Sequence, residues 1–316
     1  MSLVWVIGSG GMLGQALVNE LKQAEDKLFE LPAKLNWNNP SEACEQLKQA
    51  VSQLSKEAGK DGWIIYWAAG TGTMHSNRED LKAETELLET LISSLLNDDK
   101  LILHAGKFIF ASSAGAIYAG IQEGVITESM QTAPINVYGE TKLLQEAVLN
   151  KLNQNGQGAI VVTCRITTLY GLKSKDGKQQ GLIAEMIRNL LTNQVIHIYV
   201  PLETMRDYIT PKDAAIQMID AAKHSEKTQG IAIKIIASGV STSVAEIIAI
   251  LKRICKRNLR IVTQADIKGS QYQRAVQFRS ALRKKIDLQN RTNLIEGISD
   301  LLNTIQNDIV KNRNNP

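Results

Sequence analysis

The sequence predicts an α/β fold: a doubly wound parallel sheet with a smaller, mostly C-terminal second domain. Three observations predict it. Short runs rich in Val and Ile alternate with longer amphipathic segments, the pattern of successive βαβ units. A glycine-rich turn follows the first run directly. After Tyr170 the alternation gives way to a polar stretch at 172–180, in a chain whose 316 residues are about twice an ordinary domain.

In order, the apolar runs fall at 3–7, 63–67, 107–111, 159–165 and 231–236. The first stops at Gly8 and has no basic leader, which reads as a buried strand and not a signal peptide. A further strand is expected at 27–31, closed by Pro32. Helical periodicity lies between the runs at 12–23, 41–58, 77–96 and 137–152. Two helix starts carry capping boxes, Ser76-Asn77-Arg78-Glu79 and Ser243-Val244-Ala245-Glu246. Beyond the polar stretch come a helical pattern and a run at 195–200. The chain then returns to the sheet near Asp207 and leaves it after Ala237 for a helix-rich tail. This divides the chain into 1–168 with 209–237, and 169–208 with 238–316.

Composition narrows the function. Hydrophobic residues make up 44% and charged residues 22%, the balance of a soluble globular protein. The net charge of +4 is spread thinly, and the densest basic cluster, Arg283-Lys284-Lys285, is too short for a nucleic-acid track. No stretch approaches the ~18 apolar residues that cross a bilayer, so no membrane insertion is expected. Cys44, Cys164 and Cys255 lie far apart without CxxC pairing and read as reduced thiols of a cytoplasmic chain. His75, His104, His197 and His224 are not spaced as metal ligands, and no metal is expected.

The turn after the first run reads Gly8-Ser9-Gly10-Gly11-Met12-Leu13-Gly14. A tight strand-to-helix turn needs glycine for positive φ and for close approach to a pyrophosphate, which then sits at the positive helix end. Gly8, Gly11, Met12, Leu13 and Gly14 are therefore expected to bind a dinucleotide, and 1–168 with 209–237 to be the dinucleotide-binding domain. No acid stands clearly at the end of the expected strand 27–31, so NAD and NADP both remain, with NAD placed first.

The run Phe108-Ile109-Phe110-Ala111-Ser112-Ser113 brings two hydroxyls to a strand's carboxyl end, the edge where such sheets hold ligands. About twenty-five residues on, Tyr138 and Lys142 stand at i and i+4, on one face of a helix. A cation beside a phenol favours the phenolate, so Tyr138 is suited to exchange a proton with a carbinol. The same spacing recurs at Tyr208 and Lys212. There Pro211 falls between the partners at a helix start, so that pair need not share a face.

On these motifs the chain resembles the extended short-chain dehydrogenases/reductases of the NAD-dependent epimerase/dehydratase family, enzymes of Rossmann fold that act on nucleotide-sugars. The resemblance runs through Thr127-Glu128 before Pro134, Arg165-Ile166, Leu169-Tyr170-Gly171, Arg206-Asp207-Tyr208-Ile209, Asp213-Ala214 and 292–298. It implies that Ser113, or else Ser112, holds the substrate hydroxyl. Tyr138 would be the acid/base, and Lys142 would bind the nicotinamide ribose and tune the tyrosine. It further implies that Ala68, Ala69 and Gly70 line the cofactor, and that Arg206 contacts the nucleotide diphosphate unless it pairs with Asp207. The second domain then serves the substrate, the setting is surface polysaccharide assembly, and the tyrosine-bearing helix mediates a homodimer.

The residues after Ser113 narrow the reaction. Dehydratases of this family need an Asp-Glu pair there for a second proton transfer, and this chain has Ala114-Gly115-Ala116. What fits is C4 epimerisation or reduction of a 4-ketosugar. A non-catalytic NAD(P)-binding regulator of the same fold is the alternative, although such proteins usually lose the tyrosine or lysine kept here. Dehydrogenation of a small alcohol is a third reading. The polar stretch 173–180 is a candidate grip on phosphate or sugar.

Overall fold

The structure, a computed structural model, describes every residue except 71, 74, 75, 104, 105, 155, 156, 173–180, 226–230, 265–274, 283–290, 315 and 316. His75, His104, the candidate grip at 173–180 and the basic cluster at 283–285 thus lie outside the described residues. The chain opens with β1 (Leu3–Ile7), α1 (Met12–Gln23), α2 (Pro40–Glu57), β2 (Trp63–Trp67), α3 (Arg78–Leu96) and α4 (Asp99–Leu103). It continues with β3 (Gly106–Ser113), α5 (Ala114–Ile117), β4 (Glu123–Ile126), α6 (Val137–Val148), β5 (Asn153–Gln154), β6 (Gln157–Gly158), β7 (Ile160–Ile166) and β8 (Thr168–Leu169). Next come α7 (Leu182–Leu191), β9 (Ile196–Ile198), β10 (Met205–Ile209), α8 (Pro211–His224), β11 (Ala232–Ile236), β12 (Ser241–Ser243) and α9 (Val244–Cys255). The last elements are β13 (Ile261–Thr263), β14 (Ala275–Phe278) and α10 (Leu294–Asn314).

The chain divides into two compact units, Met1–Ile117 with Pro134–Arg165 and Ala215–Lys234, and Tyr118–Ala133 with Ile166–Ala214 and Ile235–Pro316. Residues 118–133 fall in the second unit, where the sequence reading runs the first unbroken to 168.

The first unit is built on a five-stranded sheet of order β1-β2-β3-β7-β11. β1, β2 and β3 pair in parallel, with Leu3 opposite Trp63 and Trp63 opposite Gly106. All five residues of β1 are buried, which is why its sequence is a continuous apolar run without alternation. α2 and α3 pack on one another and supply Leu47, Leu54, Leu88 and Leu91 to a core shared with Trp63, Trp67 and Phe108. Side chains so buried contribute about 1.5–3 kcal/mol each.

Two expectations need correction here. The strand at 27–31 shrinks to a single parallel bridge, Val4 to Leu28, made by Val4 N–H to the Lys27 carbonyl and Phe29 N–H to the Val4 carbonyl. The cap of α3 is Asn77, whose side chain accepts from the Asp80 N–H at 2.9 Å, and not Ser76. Ser76 instead accepts the Thr73 N–H, closing the turn before the helix.

In the second unit β10 lies between β12, antiparallel, and β8, parallel. β14 pairs with β4 and β13 with β9. The Ser243 capping box forms as expected and starts α9. Ile183, Ile187, Val244, Ile247, Leu251 and Ile298 form this unit's core. Several motifs of the family resemblance are braces within it. The Asp207 carboxylate accepts from Thr167 Oγ1 and from the Ser238 and Gly239 N–H groups, while Asp213 accepts from the Thr292 N–H and hydroxyl. Among the described residues no helix is long and apolar enough to cross a membrane.

Candidate active site

All but one of the residues singled out as a site lie in the first unit. Gly8 ends β1 at φ +88°, a conformation that disfavours side chains. A Cβ there would stand 2.6 Å from the Ala69 nitrogen, and one on Gly14 would stand 2.1 Å from the Gly8 oxygen. The turn, the start of α1 and the segment Ala68–Ala69 therefore touch only because glycines occupy these positions. Gly11 is the N-cap of α1, with no side-chain cap and no acid in the first turn, so Met12 and Leu13 present backbone N–H groups without intrahelical partners. An uncapped, glycine-lined helix start of this kind fits the pyrophosphate of a dinucleotide. Gly70, at φ +145°, follows Ala68 and Ala69 in the loop leaving β2.

The two serines at the end of β3 have different surroundings. Ser112 is buried and its hydroxyl donates to Glu146 Oε1 at 2.6 Å. Ser113 is half-buried, and its oxygen accepts the Ala116 N–H at 3.3 Å. Of the two, only Ser113 keeps its hydroxyl hydrogen for another partner in these contacts.

Tyr138 and Lys142 stand on α6, whose start is fixed by Asn136 accepting the Gly139 N–H at 2.9 Å. Gly139 allows that start to close on α5, since a Cβ there would meet the Ala116 oxygen at 2.6 Å. Tyr138 is half-buried, and Lys142 Nζ lies 5.6 Å from its ring centroid and 5.3 Å from that of Phe110. The ammonium is 4% exposed. Burial alone would lower its pKa, yet the charges of Glu84 and Tyr138 outweigh burial and hold it above the ordinary lysine value.

Glu84, Gln145 and Glu146 escaped the sequence reading, and Arg165 entered it only as a motif of the family resemblance. Lys142 Nζ donates to Glu84 Oε1 and to Gln145 Oε1, each at 2.9 Å. Burial would raise the Glu84 pKa, but Lys142 and the donors Gln145 and Gly72 hold it below the usual glutamate value. Beside this pair, Arg165 grips Glu146 through Nε at 3.0 Å and Nη2 at 2.7 Å. A signal for Glu84 was present: it interrupts the apolar stripe Leu81, Leu88, Leu91, Leu95 of α3 at helical spacing.

The second tyrosine-lysine spacing is not a site of this kind. Tyr208 lies on β10 and Lys212 on α8, so the two share no helix face. Arg206, in the second unit, is half-buried on β10 in register with Thr242. Its neighbour Asp207 directs its oxygens to Thr167, Ser238 and Gly239. Among the described residues no cluster of three or more His, Cys, Asp or Glu is placed to hold a metal ion.

Comparison with known proteins gives the family and the fold. The family model described as "NAD dependent epimerase/dehydratase family" matches residues 4–235. The dTDP-4-dehydro-6-deoxyglucose reductase of Escherichia coli is 25% identical over 225 residues, covering 66% of this chain and 69% of its own. The UDP-glucose 4-epimerase of Mycoplasma genitalium is 26% identical over 290 residues, covering 79% and 81%. Among solved structures, MoeE5 in complex with UDP-glucose and NAD superposes with a TM-score of 0.78 at 19% identity, covering 98% of this chain and 100% of that one, which shows a shared fold.

Proposed function

The chain belongs to the NAD-dependent epimerase/dehydratase family, and on that footing we propose that it is a cytoplasmic NAD(P)-dependent enzyme acting at one carbinol carbon of a nucleotide-sugar, as a C4 epimerase or a 4-ketosugar reductase. The observation that carries the proposal is the half-buried phenol of Tyr138, with the Lys142 ammonium 5.6 Å from its ring, on a helix packed against the strand that ends in Ser113. The relatives named above as a 4-keto-sugar reductase and a 4-epimerase perform reactions of this kind, and both suit a strand end followed by Ala114 and Ala116, which are fully buried and carry no acid.

The nicotinamide, when bound, supplies the acceptance or return of hydride at the carbinol carbon. Gly8, Gly11, Met12, Leu13 and Gly14 would hold its pyrophosphate, and Ala68, Ala69 and Gly70 would line it. Ser113 holds the substrate hydroxyl by a hydrogen bond. Tyr138 takes that hydroxyl's proton on its phenolate oxygen during oxidation and returns it during reduction. Lys142 favours the phenolate through its charge and offers a hydrogen bond to the nicotinamide ribose. Arg206 is assigned to the nucleotide diphosphate, which a planar guanidinium grips well. Leu144, 60% exposed on α6, supports pairing of two copies through that helix, which sedimentation at micromolar concentration would test.

Tyr138→Phe should bind cofactor normally and lose about 10²–10⁴-fold in turnover on a UDP- and dTDP-sugar panel. Turnover within tenfold of the parent would overturn the assignment. Denaturing the purified protein and identifying what it releases separates the two reactions. Retained NAD⁺ marks an epimerase that regenerates its own cofactor, exchangeable NADPH a reductase.

A further inference from the structure

We propose that Glu84 is a positioning residue that fixes the Lys142 ammonium and offsets part of its charge at the place where Tyr138 exchanges its proton. The inference rests on the functional reading above and deepens it. An ammonium has three donors, and two of those on Lys142 are committed, to Glu84 Oε1 and Gln145 Oε1. The third remains for the cofactor, so the pair sets the direction from which Lys142 approaches it.

Glu84 is also tied to the loop that leaves β2. Its Oε2 accepts the Gly72 N–H at 3.4 Å, and a Cβ on Gly70 would stand 2.8 Å from its Oε1. A Cβ on Gly72 would lie 3.0 Å from the Tyr138 ring. One carboxylate thus joins the loop expected to line the cofactor, the lysine and, through Gly72, the tyrosine.

The charges around Lys142 come from three directions. Glu84 reaches it from α3; Tyr138 and Glu146 lie on its own helix; and Arg165, from β7, engages both oxygens of Glu146. Glu84 is therefore the carboxylate whose charge acts on Lys142 without a guanidinium of its own to balance it. Burying a carboxylate is expensive, and an uncharged amide would supply the same acceptor to Lys142, so the charge itself needs a role. With Glu84 in place the phenol experiences a partly compensated ammonium. With Glu84 neutral, an ammonium that stays protonated is uncompensated and favours the phenolate more strongly.

The test is the pH profile of nucleotide-sugar oxidation in the parent, Glu84→Gln and Glu84→Asp. Glu84→Ala is a second neutral variant should the amide fail to accumulate. Both neutral variants should move the acid limb down by about one pH unit, and the charge-conserving Glu84→Asp should leave it near the parent's. Ultraviolet difference titration of the NAD-bound protein, with Tyr138→Phe to assign the signal, should show the same shift in the phenol. A neutral variant with the parent's limb and titration overturns the proposal. So does an aspartate variant displaced as far as the neutral ones, because position alone would then explain the effect. An active Tyr138→Phe defeats the functional reading instead, and a protein that turns over no sugar still reports on Glu84 through the phenol titration.

Discussion

Replacing Ser112 and Ser113 one at a time by alanine should separate stability from turnover. Ser112 donates a 2.6 Å charge-assisted bond to Glu146 in the interior. Bonds of that type contribute about 1.5–3 kcal/mol. Glu146 keeps both contacts to Arg165 when Ser112 is truncated, so it is not left unpaired and the loss should fall near the lower end, about 2 kcal/mol. That lowers Tm by a few degrees in a chain of this size. Ser113 accepts one 3.3 Å bond at a half-buried position, so its alanine variant should lose less than about 1 kcal/mol. Its hydroxyl is the donor assigned to the reacting oxygen, and loss of one such donor lowers kcat by about 10²–10³-fold. Thermal scanning and steady-state kinetics on both variants read the two quantities independently. A Ser112 variant that keeps its Tm but loses turnover, beside a Ser113 variant with turnover intact, would refute the assignment.

Three further outcomes follow. Gly14→Ala places a methyl 2.1 Å from the Gly8 oxygen, and Gly8 is itself pressed on Ala68–Ala69, so α1 must shift by about 1 Å; calorimetry should show cofactor affinity down at least tenfold, and unchanged affinity would contradict the cradle. Asp207→Ala leaves the Thr167 hydroxyl and the Ser238 and Gly239 N–H groups without their acceptor, and should cost about 3–5 kcal/mol in denaturant unfolding. Glu84 has a folded pKa below its unfolded one, so its pairing stabilises above the ordinary value of 4.5 and is lost as pH falls below it; the Tm difference between the parent and Glu84→Gln should shrink in that window, and a constant difference would count against the pairing.

The parts of the fold that were legible in the sequence are those where apolar period and burial coincide. β1 and β2 were bounded to the residue because both are continuous apolar runs, and Gly8 and Gly14 were readable because only glycine fits those approaches. The strand at 27–31 was over-read: it makes one isolated parallel bridge, Leu28 to Val4. Within the site, Tyr138, Lys142 and Ser113 were found by spacing and strand position. Glu84, Glu146 and Arg165 were not, because their partners lie 19 to 58 residues away and no local pattern records a long-range ion pair. The contact that sets Ser112 apart from Ser113 likewise spans 34 residues.

α6 explains why the helix carrying Tyr138 and Lys142 is hard to orient from sequence and why its setting is polar. Its buried residues include Lys142, Gln145 and Glu146, whereas Leu144 is 60% exposed. Tyr138, Lys142 and Gln145 follow one another at i, i+4 and i+7, with Glu146 beside them, so the inward stripe is the polar one, the reverse of an ordinary surface helix. Apolar burial alone would turn Leu144 inward and carry Lys142 away from Glu84. What holds the observed rotation is a set of directional bonds: Lys142 to Glu84, Gln145 to Thr85 at 3.2 Å, and Glu146 to Ser112 and Arg165. Directional bonds fix an angle more sharply than apolar contact does, and a half-satisfied network of this kind is costly. Lys142, Gln145 and Glu146 therefore fix the rotation of the helix that carries Tyr138.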